Sequence, residues 1–167
     1  MQAEAASQLG LIQALSAAGG SSVAESQIVH FVVVGGGRYE DVTQLLGIEP
    51  SVAHNPGDTN KVGHAFKSMH WQLNSGFAED RPLAEHIEAL LAWLVPRAAA
   101  LRELWLDSSL YFQCSVKCTH TFGLHLSREH IRQMAALGIG LDLDGYSEPG
   151  GAAPNNSSKP TPLRGAA

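Results

Sequence analysis

Cysteine is scarce: the 167 residues contain two, Cys114 and Cys118. They sit four apart on what reads as one extended strand, roughly 13 Å between Cα atoms at ~3.3 Å per residue, beyond the span of a disulfide. Two reduced core thiols of a cytoplasmic protein fit this spacing better than a redox or metal pair. Positive charge is also in short supply, with 11 Lys and Arg against 16 Asp and Glu and a formal net charge of -5. The cations are scattered, so the basic stripe that holds phosphates is missing and no nucleic-acid partner is expected. No Lys or Arg precedes the apolar run in MQAEAASQLGLIQALSAAGGSS, which makes it a poor match to a secretory signal. No apolar run approaches membrane-spanning length, and no membrane partner is expected.

The familiar catalytic and metal signatures are missing as well. GxSxG, HExxH and CxxC do not occur, and no histidines are spaced as HxxxH. Eight histidines are present, with His54, His64 and His70 near Asp58 in or beside one polar stretch. Without short-spaced ligand pairs they read as solvated or hydrogen-bonded side chains, and no metal site is expected. The run GGGRYED lacks the Walker lysine and the third glycine of a dinucleotide fingerprint, and Glu40 and Asp41 would repel a phosphate at the helix start. It reads as a tight turn, and no cofactor is expected. LDLDGY puts its glycine at the fourth position where a calcium loop needs it at the sixth.

What is present is a well-punctuated α+β pattern. QIVHFVVV, residues 27–34, is apolar on both faces and β-branched, as in a central covered strand. A short helix EDVTQLL follows, with Val42, Leu45 and Leu46 inward, stopped by Gly47 and Pro50. Residues 51–69 form a long polar loop, and HWQLN a short strand with Trp71 and Leu73 inward. From Pro82 to Trp105 runs the main helical stripe, which Pro96 must kink or divide. LYFQCSVKC, residues 110–118, alternates cleanly, with Leu110, Phe112, Cys114, Val116 and Cys118 on one face. The pattern predicts a partner strand at 121–126. Next comes a helix REHIRQMAAL capped by Ser127 with Ile131, Met134 and Ala135 buried, and a closing strand at 139–146.

The expected fold is a single, mostly antiparallel sheet in the order βαβαββαβ, with helices packed on one face and a partly open polar face. Residues 1–26 form an extension with a short helical stripe at Leu9, Leu11, Ile12 and Leu15. Residues 27–146 form the globular domain. Residues 147–167, rich in Pro, Gly, Ser and Asn, are expected to be a disordered tail.

LLGIEP after the first helix, NPGD leading to the strand Trp71, PLAEHIEALLAWL, and the closing LGIGLDLDGY come in a set order. In that order they resemble the bacterial family catalogued as domain of unknown function 4279. The resemblance spans about Gln27 to Tyr146. It implies a fold-level class and no activity, cofactor or site residue. Small bacterial domains of this type are considered as interaction or immunity proteins, an analogy and not a reading of these residues.

No catalytic residues are assigned. The candidate surface is the polar sheet face of Tyr111, Gln113, Ser115, Lys117, His125, Asp142, Asp144 and Tyr146, with Gln72 and Asn74 beside it. Tyrosine mixed with both charge signs suits recognition of another protein, as in an immunity or antitoxin protein. The competing reading of the same residues is a solvated sheet face. An alternative from another class is a small hydrolase using His125 with Asp142 or Asp144 as acid and base groups. An inward cysteine such as Cys114 makes a poor nucleophile.

Overall fold

The structure, a computed structural model, describes residues 24–119 and 122–147. The expected N-terminal helix and C-terminal tail lie outside these residues, as do His120 and Thr121. Strand β1 (Ala24–Gly35) is the centre of the sheet, as its β-branched run requires. It pairs antiparallel on both sides, with Phe31 opposite Leu73 of β3 (Met69–Asn74) and opposite Phe112 of β4 (Ser108–Cys118). Strand β2 (Val52–His54) runs antiparallel beside β3, and β5 (Gly140–Ser147) runs parallel to β4. The five strands lie in the order β2-β3-β1-β4-β5.

Helices α1 (Tyr39–Leu46), α2 (Leu83–Leu94), α3 (Ala98–Leu104) and α4 (Arg128–Ala136) are set by local chemistry. Gly47 ends α1 in the left-handed conformation at φ 63°, donating its N–H to the Thr43 carbonyl. Pro96 divides the main helical stripe, and a single 3-10 turn, Val95–Arg97, separates α2 from α3. The Ser127 hydroxyl accepts from the His130 N–H at 3.1 Å and caps α4. Gly35 begins the glycine run because a Cβ there would meet the Asp107 carbonyl and the Ser108 backbone. The run is a tight turn between β1 and α1, as expected.

All four helices press on one face of the sheet. Val29, Phe31 and Val33 of β1, Met69 and Trp71 of β3, and Phe112, Cys114 and Val116 of β4 meet Ile87, Leu90, Leu94 and Leu101 in one buried cluster. Phe31 stands edge-on to both Trp71 and Phe112, with ring centroids 6.1 and 6.0 Å away. Burial of each such side chain contributes about 1.5–3 kcal/mol. Trp71 also donates its indole N–H to Thr43 Oγ1 at 3.0 Å, which ties α1 to the sheet. Among the described residues, no helix is long and apolar enough to cross a membrane.

The class is as expected, and the order of elements needs correction. With the divided helix counted once, the order is βαββαβαβ. Residues 52–54 of the polar loop form β2, and residues 122–126 form no strand. Because β5 is parallel to β4, the chain must travel back before β5 begins. Phe122, Leu124 and Leu126 pack against the core along that route, so their alternation reflects packing and not a ladder. Ile131 and Ala135 are exposed, and Leu141 and Leu143 are partly open because β5 lies at the sheet edge.

Candidate functional site

The face opposite the helices is assembled by register. Tyr111 lies between Val32 and Gly140, Gln113 between His30 and Asp142, and Ser115 between Ile28 and Asp144. Lys117 stands beside Tyr146 on β5. Seven of the eight residues singled out from the sequence therefore share one sheet face, and the strand period of two is the reason. Gln113 donates its amide to Asp144 Oδ2 at 2.9 Å, so a neutral side chain steadies one of the two edge carboxylates. Burial, and then the charge of Asp142, push the Tyr111 phenol above its ordinary pKa. Tyr146 is 59% exposed and presents its ring to solvent. Val32 is apolar on this face and is buried.

His125 is the exception. It sits exposed in the irregular segment between β4 and α4, not on the sheet. Among the described residues it has neither a hydrogen bond nor an ion pair with Asp142 or Asp144. The structure therefore shows no direct contact that joins the acid–base pair drawn from the sequence. Cys114 is wholly buried, and burial followed by the Asp142 charge pushes its thiol up to about 12.

The histidines around the polar loop come together by stacking. His54 lies 3.5 Å from the Phe66 ring, nearly parallel, and 5.1 Å from the His70 ring. Burial holds the His54 pKa below its ordinary value, with the neighbouring His70 adding to the effect. The loop itself is tied down at buried Asn55. Its side-chain oxygen accepts from the Tyr39 N–H at 2.9 Å, and its amide donates to Glu40. Among the described residues, no three His, Cys, Asp or Glu side chains converge to hold a metal ion.

Sequence reasoning passed over a second place, at the end of β3. Here His30 of β1, Ser75 of the following loop and His86 of α2 line one cavity. His86 is buried and its Nδ1 lies 2.5 Å from Ser75 Oγ, which also accepts from the Phe77 N–H. Burial is the main cause that lowers the pKa of both histidines. One signal was present: His30 is the only polar residue between Ile28 and Val34. His86 carried no such mark, since the helical stripe alone does not say that position 86 turns inward.

Over residues 25–148 the chain matches the family model described as Domain of unknown function (DUF4279). Comparison with curated proteins and with solved structures finds no match. The matched span runs from the start of β1 past the end of β5 and contains the stretch from Gln27 to Tyr146 whose motifs resemble that family. The chain belongs to the DUF4279 family.

Proposed function

We propose that this chain is a protein-recognition module whose binding surface is the open sheet face. One observation carries the reading: Tyr111, Gln113, Ser115, Asp142, Asp144 and Tyr146 are held side by side on paired strands. A rigid surface loses little entropy on binding, and tyrosine is among the residues that anchor interfaces. Asp142 and Asp144 are both exposed at the edge of the face. A chain with a net charge of -5 that displays two carboxylates between tyrosines complements a basic protein. An immunity or antitoxin role, in which the chain covers and silences another protein, needs such a surface and no chemistry of its own. Cys114 and Cys118, outside any disulfide, fit work in the cytoplasm, where thiols stay reduced.

The test is photocrosslinking in the cells that make the protein, with a crosslinker in place of Gln113 or Tyr146 and a control at Trp93 on the helical side. The face positions are expected to capture one basic protein that the control does not. Asp142→Asn with Asp144→Asn should weaken its purified complex at least about tenfold. Capture from Trp93 alone, or undiminished affinity in the double variant, overturns the reading.

A further inference from the structure

The sheet has a gap where β3 ends. Asn74 is the last β3 residue paired with β1, opposite His30. The chain then departs, and Glu79 returns to accept the Gln27 N–H at 2.7 Å. Between these points lies the cavity, with a volume of about 260 Å³. The ring nitrogen His30 Nδ1 is buried without a hydrogen-bond partner, whereas the His86 ring is held by Ser75 and the Ala78 and Arg81 carbonyls. A buried polar atom left without a partner is destabilising, and a ligand of matching chemistry recovers the loss.

The walls select the ligand's charge. Glu79 lines the cavity, and neither Lys nor Arg does. The Arg81 guanidinium lies 5.8 Å from the Phe77 ring centroid and is ion-paired with Glu85. Burial keeps His30 and His86 uncharged near neutral pH, so they add no positive potential. An anion would meet a carboxylate and no cation. The polar wall is instead rich in acceptors: the Glu79 carboxylate, the Asn74 amide oxygen and an imidazole nitrogen. Asn74 is already engaged by the Gln72 amide and by the His30 ring, and the Ser26 hydroxyl takes one Glu79 oxygen, so the other Glu79 oxygen and His30 Nδ1 are the open acceptors. The apolar part of the wall is Ile28, Val29 and Phe77.

We propose that this cavity binds an alkylammonium group, with His30 Nδ1 and Glu79 as acceptors and Ile28, Val29 and Phe77 along its methylene stem. An ammonium brings donors and no acceptor, and its charge complements the Glu79 carboxylate. The source is either a lysine side chain of the basic partner proposed above or a free small amine. His30 neighbours Gln113 across β1 and β4, so a lysine anchored here lies next to the recognition face. In that first case the inference rests on the recognition reading.

The experiment titrates the full chain at about pH 7.5, where alkylamines are protonated. The probes are n-butylamine, N-acetyl-lysine N-methylamide and, as the anionic control, butanoate; the readout is the backbone amide signals of Gly76 and Phe77. Saturable shifts are expected with both amines at millimolar affinity, and none with butanoate. Glu79→Gln should weaken binding at least about tenfold, and Ile28→Trp, which fills the cavity, should abolish it. Tighter binding of the capped lysine assigns the site to a partner side chain, and tighter binding of butylamine assigns it to a free amine. The proposal is overturned if neither amine saturates, if butanoate binds equally, or if Glu79→Gln keeps full affinity with its fold intact. Those failures leave the recognition face standing, since crosslinking at Gln113 and Tyr146 decides it separately.

Discussion

Phe112 and Tyr111 are neighbours on β4, yet one is wholly buried against Phe31 and the other lies half-open between Val32 and Gly140. The same contrast runs through the sheet. On the helical side, rings meet edge to face and nearly every contact is apolar. On the other side, polar groups meet across strands at the surface, as in the bond from Gln113 to Asp144. One face holds the protein together, and the other is free to meet a partner. At the gap beyond Asn74 the two faces meet: His30 comes from the open side and His86 from the covered side, and both line one cavity.

The largest expected effect separates the two faces on one strand. Phe112→Ala should destabilise the fold by about 3–5 kcal/mol, because a fully buried ring leaves a cavity among residues that cannot close over it. Tyr111→Ala should cost less than half as much, roughly 1–2 kcal/mol, since its ring is only partly covered. Denaturant unfolding of both variants measures the difference, and equal losses would dissolve the contrast. A smaller effect is expected from pH. The pKa values of His30, His54 and His86 are lowered from 6.5 in the folded chain, with burial the main cause in each. As pH falls through 6.5 the unfolded chain takes up protons that the folded chain resists, so the histidines' contribution declines toward acid and is flat above about pH 7.5. Melting temperatures across that range read the slope, and His86→Phe should make it shallower. The smallest effect is expected at Gln113→Ala, roughly 0.5 kcal/mol, because its bond to Asp144 is exposed. A loss as large as that of Phe112→Ala would show the open face to be structural.

What the sequence made legible was local. The alternation of 110–118 assigns both faces of β4, since successive strand side chains point opposite ways whatever lies nearby. Gly47, Ser127 and Pro96 mark helix ends through their own backbone chemistry. The failures came where distant segments decide. Residues 122–126 alternate like a strand, but the parallel placement of β5 turns them into a return path. β2 is only Val52–His54, too short for any period to be read. Of the candidate face, the seven strand residues were legible from alternation and His125 was not, because its strand does not form. The cavity was hidden because His30, Ser75 and His86 lie far apart in sequence and meet only when β3 ends beside β1.

The comparison between faces has one direct test of function. With the partner captured at the open face purified, its affinity is measured by calorimetry for Tyr146→Ala and for Trp93→Ala, two exposed aromatic residues on opposite sides of the sheet. Loss of about 2 kcal/mol or more for Tyr146→Ala, with Trp93→Ala unchanged, is the result predicted for a recognition face. Unchanged affinity in Tyr146→Ala with a loss in Trp93→Ala would place recognition on the helices and contradict the account.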